Sequence, residues 1–384
     1  MTPINSIPPT NFTPATNSTN GTKADRNFHI RASAPTRIDL AGGTIDLWPI
    51  HQLLDEKATV NCAVTLPAQV DIQPSQDGRF TLHSVDQGIK VTGTFDECTV
   101  TEKLPLLGLF LKAWWSRELP ALQIRTEAKS PAGAGLGGSS CLAVALGGAL
   151  LRAQALVSGR AVEDNALGDA DLDEYRLVQT ASDLEAKLIH APTGIQDYWG
   201  AVRGGLNIIE FPAGGVTIET HDPADSSLAA QVTRKLEEEL ILCFSGKSRQ
   251  SAINNWEIFK RVFDGDKTLL KKLSEIGALA RQCADAVRAG DYQAMVHASV
   301  HEWAIRCQLW PNIHTPETRD QGDAALAAGA RLARVCGAGG GGVMAVLAPP
   351  QIHTKVRAAL ESAGGTILAA GVAHRGLYIE LIRK

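Results

Sequence analysis

Two short glycine-rich stretches constrain the fold of this 384-residue chain more than any other feature. The first runs from Ser130 to Ser140 as SPAGAGLGGSS, between a predicted strand at 122–128 and a predicted helix at 139–156. Glycine has no Cβ, so such a stretch can turn tightly and point successive backbone N–H groups at one ligand. The positive end of the following helix favours an anion at the same place. Taken alone, the pattern indicates either a phosphate-binding loop or a merely tight turn.

This first stretch does not complete either of two familiar nucleotide-binding patterns. No Gly-Lys-Ser or Gly-Lys-Thr follows, so it is not a Walker A loop. Gly133, Gly135 and Gly138 fit the spacing G-x-G-x-x-G, but no second predicted strand ends in an acidic residue at the required distance. Both interpretations of the stretch therefore stay open at this point.

A second run, CGAGGGG at residues 336–342, precedes a predicted strand at 343–347. Each glycine in a regular element lowers stability by roughly 0.5–1 kcal/mol relative to alanine. This loss is easier to understand if the backbone must approach a ligand. A flexible hairpin or crossover is the alternative. A third segment, APTRIDLAGGTIDL at 34–47, carries Arg37, which would be expensive to bury without an anionic partner.

The charge balance argues against a protein that binds nucleic acid or anionic membrane. Lys and Arg number 37 against 41 Asp and Glu, a net charge of −4, and aromatic residues make up only 5%, too few for a base-stacking surface. No stretch of about 18 uncharged apolar residues occurs, so we expect no transmembrane helix. Hydrophobic residues make up 44% of the chain, enough for a packed core without disulfide or metal cross-links.

The cysteines and the first residues indicate a cytoplasmic protein. The seven cysteines are widely spaced and include no C-x-x-C pair, so we expect buried thiols in a reducing compartment rather than disulfides or a zinc site. Residues 1–28 are rich in Asn, Thr and Pro and lack the basic and apolar regions of a secretory signal. We interpret them as a disordered tail.

Mixed strands and helices without strict alternation favour an α+β fold over a doubly wound sheet. After the tail at 1–28, we predict an N-terminal lobe at 29–212, which carries the glycine loop, and a C-terminal lobe at 213–384. The amphipathic pattern at 172–190 predicts a helix. Further strands are predicted at 60–72, 80–83, 205–211, 240–244 and 376–382, and further helices at 268–289, 292–309, 318–328 and 352–363.

The three segments, in this order and spacing, resemble the motifs of the GHMP small-molecule kinases, the family of galactokinase, homoserine kinase and mevalonate kinase. The resemblance spans about residues 30–384. Within the family, RIDLAGG at 37–43 and GIQDYWGAVRGGLN at 194–207 are most similar to the kinases for heptose phosphate and L-fucose. The predicted helix that carries His301, Glu302 and Trp303 is similar to the same branch.

The chain departs from that branch at three points. Tyr198 stands where the usual Gln-Asp-Gln has its second glutamine. The loop at 42–46 reads GGTID instead of Gly-Gly-x-Thr-Asp. Gly138 replaces the first serine of Gly-Leu-Gly-Ser-Ser, which leaves Ser139 as the matching hydroxyl. Because the loop at 42–46 faces the substrate in the family, the resemblance does not identify the sugar.

The resemblance implies a two-lobed α+β fold, with a ribosomal-protein-S5-like N-terminal lobe and a ferredoxin-like C-terminal lobe. It also implies ATP and Mg²⁺ as cofactors. The residues that would bind ATP are Pro131, Gly133, Gly135, Leu136, Gly137, Gly138, Ser139 and Ser140.

Four side chains receive roles in phosphoryl transfer from the resemblance. Asp197 would orient or deprotonate the acceptor hydroxyl, and Arg37 would stabilise the charge of the transferring group. Ser139 and Glu185 would bind Mg²⁺, which prefers oxygen ligands and retains several waters. Without the resemblance, Glu185 would be interpreted as a solvated surface residue at the flank of its helix's apolar stripe, and Asp197 as a turn-capping residue in a glycine-rich loop.

The substrate would be bound by residues from several loops. Thr44 and Asp46 are candidates for hydrogen bonds to sugar hydroxyls, although Asp46 alternatively stabilises its own turn. Arg249 would meet a substrate phosphate or hydroxyl, or lie on the surface. The remaining candidates are Asp197, Gly339 and Gly340.

These observations predict an ATP-dependent kinase for a sugar or sugar phosphate of the heptose-7-phosphate or fucose type. A kinase for a non-sugar alcohol such as mevalonate is one alternative, against which Arg37 in place of lysine and the Gln196–Asp197 pair argue. A sensor that binds ATP and sugar without turnover is another. The expected partner is a small sugar, with neither nucleic acid nor membrane, and the oligomeric state stays open, a homodimer included.

Two other patterns are interpreted as structural. His297 and His301 have the spacing of a zinc pair, but no third ligand accompanies them. The acidic run at 169–173 begins like a calcium loop, but Glu174 stands where the turn glycine is needed.

Overall fold

The computed structural model describes residues 27–160, 174–248 and 251–382. These residues form twelve strands, eleven α-helices and two short 3-10 helices. The strands are β1 (Ile30–Ala41), β2 (Ala58–Pro74), β3 (Phe80–Ser84), β4 (Ile89–Gly93), β5 (Leu122–Ala128), β6 (Leu206–Glu210), β7 (Thr217–His221), β8 (Leu240–Phe244), β9 (Leu332–Val335), β10 (Val343–Leu347), β11 (Thr366–Leu368) and β12 (Tyr378–Leu381).

The helices vary from one turn to six. They are α1 (Phe95–Thr99), α2 (Pro105–Trp114), α3 (Gly138–Val157), α4 (Glu174–Ile189), α5 (Gln196–Arg203), α6 (Leu228–Glu239), α7 (Ser251–Phe263), α8 (Lys267–Ala289), α9 (Tyr292–Arg306), α10 (Pro316–Ala327) and α11 (His353–Ser362). The 3-10 helices lie at Ile50–Leu53 and Pro350–Ile352.

A large sheet has the strand order β12-β1-β2-β5-β3-β4, with β6 paired to β2 and β7 to β6. The 17-residue strand β2 is long enough to pair with β1 along one edge and with both β6 and β5, at its two ends, along the other. Every residue of β1 from Ala34 to Ala41 is buried, so this part of the strand is covered on both faces. Strand β1 is thus the buried frame on which Arg37 and Asp39 are placed.

A second, antiparallel sheet has the order β11-β8-β10-β9. One face of it shares a core cluster with strands β1 and β2 and helices α8 and α9, and another cluster joins it to α10 and α11. Strands β7 and β12 join the large sheet although both lie beyond residue 212. The division between the sheets therefore does not coincide with the boundary predicted there, and the lobe boundaries stay a prediction.

Helix α3 packs between β1, β2 and helices α2, α4 and α5. Among the described residues it is the one helix long and apolar enough to cross a membrane by length and hydropathy. However, 72% of that apolar window is buried inside the protein. It is therefore the core helix that its pattern predicted, apolar on nearly all sides because protein covers all sides.

The α+β class is confirmed, and the strands predicted at 122–128, 240–244 and 343–347 have the same bounds in the structure. Six of the seven cysteines are buried, as small apolar side chains would be. One prediction about local structure was wrong: Asp197 does not lie in a glycine-rich loop but in the first turn of helix α5. This helix forms because Tyr198, Trp199, Ala201 and Val202 all find buried positions.

Candidate active site

A cavity of about 900 Å³ lies between the glycine loop at 130–140, the first turn of α5 and the loop at 42–46. The predicted residues that line it are Arg37, Thr44, Asp46, Pro131, Gly133, Gly135, Gly137, Gly138, Ser139, Ser140, Glu185 and Asp197. Residues from three separate parts of the chain, more than 150 positions apart at the extremes, thus converge on one space.

The glycine loop owes its shape to three residues with left-handed backbone angles. Gly133, Gly135 and Gly137 have φ of 67°, 77° and 74°, a region that side chains with a Cβ rarely adopt. Helix α3 begins at Gly138, so the backbone N–H groups of its first turn have no partner within the helix. The side chain of Leu136 is fully buried in the core and does not line the cavity, so it anchors the loop from behind.

The glycine run at 336–342 packs against the loop at 130–140, and most of it faces away from the cavity. A Cβ on Gly342 would lie 2.4 Å from the carbonyl oxygen of Ala134, so only glycine permits that approach. Gly339 and Gly340, predicted to bind substrate, lie against Ile313: a Cβ on Gly339 would come within 2.7 Å of it, and Gly340 N donates to its carbonyl at 3.0 Å. Neither lines the cavity, to which this run contributes Gly337 and Ala338.

Arg37 and Asp197 meet at the cavity wall. Arg37 Nε donates to Asp197 Oδ1 at 2.6 Å, and Nη1 donates to the carbonyl oxygen of Gly135 at 2.8 Å. The Arg37 side chain is 3% exposed, whereas Asp197 retains 24% exposure toward the cavity. Burial lowers the pKa of Arg37, but Asp197 and Asp39 outweigh it and raise that pKa, so the guanidinium stays charged.

Two glycines allow Asp197 and Arg37 to come this close to their neighbours. A Cβ on Gly137 would lie 3.0 Å from Asp197, and one on Gly200 would lie 3.1 Å from the Cβ of Arg37. The glycine loop, strand β1 and helix α5 therefore meet at van der Waals distance around a single ion pair.

Asp46 is a second carboxylate near the N-terminus of α5. Its Oδ2 accepts from the backbone N–H of Gln196 at 3.1 Å, and it packs on Gly194, where a Cβ would overlap it at 2.1 Å. Its pKa is raised to about 6, chiefly by burial and also by the neighbouring Asp197, against the opposing effects of the Gln196 N–H, Arg37 and Arg306. Thr44 is held nearby with φ of 75°.

Glu185 is buried, at 7% exposure, and is not the solvated surface residue that its sequence position allowed. Its Oε2 accepts from Ser140 Oγ at 2.8 Å and from the Tyr198 hydroxyl at 2.5 Å. Burial raises its pKa, an effect that hydrogen bonds from Tyr198, Ser139 and Ser140 oppose. Ser139 itself is exposed at the cavity surface.

A buried ionic cluster of Asp39, Glu302, Arg306 and Arg334 lies behind the loop at 42–46. Arg334 Nη2 lies 2.9 Å from Asp39 Oδ2 and 3.0 Å from Glu302 Oε2, and Arg306 Nη2 lies 2.7 Å from Glu302 Oε1. All four are at most 1% exposed. Burial would raise the pKa of Asp39, but Arg334, Arg306 and Arg37 hold it at about 2.

This cluster also binds the backbone of two loops. Arg306 donates to the carbonyl of Gly43 at 2.6 Å and to Thr44 Oγ1 at 3.3 Å, while Gly42 N donates to Glu302 at 3.1 Å. Gly337 N donates to Asp39 Oδ1 at 2.6 Å. The loop at 42–46 and the glycine run at 336–342 are therefore fastened to the same four charges.

Some of the predicted residues do not line the cavity, and others lie outside the described ranges. Arg249 and the acidic run at 169–173 lie outside the described residues. The rings of His297 and His301 are tilted by 40° with centroids 4.1 Å apart, and His301 Nδ1 bonds the carbonyl of His297. Within the described ranges, no group of three or more His, Cys, Asp or Glu residues could hold a metal ion.

Residues 106–205, which contain the glycine loop, Glu185 and Asp197, match the family described as GHMP kinases, N terminal domain. This part of the chain is a GHMP kinase N-terminal domain. The protein is therefore a kinase, a phosphotransferase with an alcohol group as acceptor and ATP as donor, as predicted.

Curated relatives of this kinase carry different substrate names. A Bacteroides fragilis protein named L-fucokinase/L-fucose-1-P guanylyltransferase is 26% identical over 84% of the chain, which spans only 35% of that longer protein. The D-glycero-alpha-D-manno-heptose 7-phosphate kinase of Campylobacter jejuni is 24% identical over 84% of the chain and 90% of its own length. The mevalonate kinase of Pyrococcus abyssi is 26% identical, over 92% and 99%.

Solved structures share the fold of this kinase. The crystal structure of a D-glycero-D-manno-heptose 1-phosphate kinase from Bacteroides thetaiotaomicron superposes with a TM-score of 0.67 at 20% identity, covering 92% of this chain and all of that one. At this identity the likeness extends to the fold alone.

Sequence reasoning missed three features of the site of this kinase: the Tyr198–Glu185 bond, the Ser140–Glu185 bond and the buried ionic cluster. For the cluster one local signal was present, since Glu302 and Arg306 are four apart and face one another on helix α9. For the two bonds to Glu185 no local signal was present, because they join three different helices.

Proposed function

We propose that this GHMP kinase transfers the γ-phosphoryl group of ATP to a hydroxyl of a sugar or sugar phosphate. The Arg37–Asp197 pair carries the proposal, since it sets a cation and a cavity-facing carboxylate beside a glycine loop suited to phosphate. Phosphoryl transfer requires a phosphate cradle, stabilisation of the transferring charge and an oriented acceptor, and these groups can supply all three.

The nucleotide would bind along the glycine loop. The free N–H groups at the start of α3 and the left-handed glycines favour the phosphates of ATP. The cavity continues to an apolar wall at residues 104–107. Such a wall suits the flat face of a purine base.

The donor set beside the loop fits Mg²⁺. The Ser139 hydroxyl and the Glu185 carboxylate are hard oxygen donors that line the same cavity, and Mg²⁺ usually keeps several waters beside one or two protein ligands. When bound, Mg²⁺ would neutralise charge on the phosphates of ATP. The role of Glu185 would be to hold this cation, and that of Ser139 to complete the site at the loop.

At the acceptor end, Asp197 would accept a hydrogen bond from the attacking hydroxyl and take up its proton, while Arg37 stabilises the negative charge that develops on the transferred group. Thr44 and Asp46 would bind neighbouring hydroxyls. A sugar suits this arrangement better than mevalonate, because a sugar offers several neighbouring hydroxyls to these acceptors, whereas mevalonate has a single hydroxyl besides the one phosphorylated.

A coupled ADP-release assay tests this function. Purified protein is given Mg-ATP with a panel of hexoses, heptoses, their phosphates and mevalonate, and calorimetry measures binding of each compound. We expect turnover with at least one sugar or sugar phosphate and none with mevalonate. Turnover with mevalonate alone would overturn the sugar assignment. Sugar binding without ADP release would support the sensor instead.

A further inference from the structure

We propose, resting on the function above, that Tyr198 is a positioning residue for the metal ligand Glu185. Its hydroxyl, together with that of Ser140, holds one oxygen of the carboxylate and so turns the other toward the cation.

The geometry of the Tyr198–Glu185 contact carries the proposal. The hydroxyl lies 2.5 Å from Glu185 Oε2, and Ser140 Oγ lies 2.8 Å from the same oxygen. Both donors therefore meet Oε2, and neither of these bonds uses Oε1. A glutamate side chain with one oxygen fixed by two donors has lost most of its rotamer freedom before any cation arrives.

Burial makes the Tyr198 hydroxyl a committed donor. Tyr198 is fully buried, and a buried phenol whose O–H found no acceptor would destabilise the folded protein. The phenol has a single proton, which the bond to Glu185 uses. The ring of Tyr198 packs in the core beside helix α3. Phenylalanine at this position would keep that packing and lack only the hydroxyl.

Helix α5 then orients two acidic side chains through neighbouring residues. Asp197 faces Arg37 at the cavity, and Tyr198, the next residue, faces Glu185 on helix α4. The proposed base and the proposed metal ligand are thereby held in one spatial relationship by a single turn of helix. Residues that orient metal ligands typically change metal affinity about 10–100-fold when removed.

The test compares Tyr198→Phe with Tyr292→Phe. Tyr292 is a matched control, because its hydroxyl also donates to a buried glutamate, Glu239, at 3.0 Å, outside the cavity. Binding of a non-hydrolysable ATP analogue is measured by calorimetry with and without Mg²⁺, and Mn²⁺ binding to the ADP complex by electron paramagnetic resonance. Thermal unfolding verifies that both variants are folded.

We expect Tyr198→Phe to weaken Mn²⁺ binding about tenfold while metal-free nucleotide affinity changes less than about twofold. Tyr292→Phe should leave both unchanged. Unaltered Mn²⁺ affinity in Tyr198→Phe would overturn the role of Tyr198 alone. If Mg²⁺ does not change the affinity of the wild-type protein for the ATP analogue, the proposed metal site is refuted, and the role of Tyr198 with it.

A second measurement keeps the wild-type fold. The chain has four tyrosines, so protein labelled with 3-fluorotyrosine gives four ¹⁹F resonances, assigned by Phe variants of the other three. The Tyr198 resonance should shift when Mg²⁺ is added to the analogue complex, while that of Tyr292 stays in place. A Tyr198 resonance that does not move would count against the proposal.

Discussion

Arg37 Nε lies 2.6 Å from Asp197 Oδ1, and the same guanidinium reaches the carbonyl oxygen of Gly135 at 2.8 Å. One side chain from strand β1 thus joins the first turn of helix α5 to the glycine loop. Because Arg37 is buried and charged, moving Asp197 would remove its hydrogen-bonded counterion, and moving Gly135 would leave a buried donor without its acceptor. The geometry of the glycine loop and that of the candidate base are therefore coupled.

Replacing Asp197 by Asn should lower kcat about 10²–10⁴-fold, the usual contribution of an acid–base group. The amide keeps the size of the side chain but cannot take up the hydroxyl proton. Nucleotide affinity, measured by calorimetry, should change only a few-fold. Asp183→Asn on the exposed face of helix α4 is the control and should behave as wild type. A near-normal kcat for Asp197→Asn would refute the assignment.

Arg37→Lys should reduce kcat about 10²-fold and also raise KM for ATP. Lysine keeps the charge but lacks the planar fork that serves Asp197 and Gly135 at once. Steady-state kinetics separates the two effects. Arg125→Lys, at a surface pair with Glu127, should leave both constants unchanged. Wild-type kinetics in Arg37→Lys would show that a point charge suffices.

Gly137→Ala should abolish most turnover, because its Cβ would lie 3.0 Å from Asp197. Gly214→Ala separates this contact from backbone strain, since Gly214 has a φ of 83° and open space around it. Both variants should lose about 1–2 kcal/mol of stability from the left-handed backbone. Only Gly137→Ala should lose activity. Equal kcat values in the two would argue against close packing of Asp197 on the loop.

The raised pKa of Asp46 predicts a pH effect with a definite sign. A folded-state pKa of about 6 against 3.8 means that the folded protein holds the proton more tightly, so stability falls as pH rises from about 4 to about 6. Asp46→Asn removes this loss. Its Tm relative to wild type should therefore be higher at pH 7.5 than at pH 4.5, by differential scanning calorimetry.

Ionisation of Asp46 should strengthen substrate binding, although it lowers the stability of the fold. The carboxylate accepts hydrogen bonds from sugar hydroxyls best when ionised, so KM for the sugar should fall as pH rises through about 6. In Asp46→Asn this dependence should vanish and KM should be high throughout. An unchanged pH profile in the variant would assign the titration to another group.

Arg306→Met should destabilise the protein by about 3–5 kcal/mol, because Glu302 would then lose a partner in a fully buried site. Arg117→Met is the control: its pair with Asp96 is exposed and should contribute about 1 kcal/mol or less. Urea unfolding measures both. Similar losses in the two variants would show that the buried cluster is no more important than a surface pair.

Sequence reasoning succeeded where local pattern decides structure. Strands β5, β8 and β10 are short apolar or alternating runs bounded by turn residues, and their ends match the prediction to the residue. Helix α3 was equally clear, since a run without a polar face must lie between layers. The tight turn before helix α3 was also predictable, because spaced glycines permit the left-handed backbone angles that Gly133, Gly135 and Gly137 adopt.

Local pattern failed where distant segments decide the outcome. Helix α5 has only eight residues, too few for a helical period to stand out after a glycine. The burial of Glu185 depends on Ser140 and Tyr198, which arrive from two other helices. Asp39 and Arg334 pair across 295 positions, a relationship that no window of sequence can reveal.

The buried cluster bears on how this enzyme can be divided. Asp39 comes from the first strand of the chain, whereas Glu302, Arg306 and Arg334 come from its last third. A fragment that ended before helix α9 would expose Asp39 without Arg306 and Arg334, two of the cations that face it. The complementary fragment would hold two arginines and one glutamate. Split-protein reporters or truncations that cut between residues 42 and 302 should therefore yield insoluble halves, which regain activity only when co-expressed.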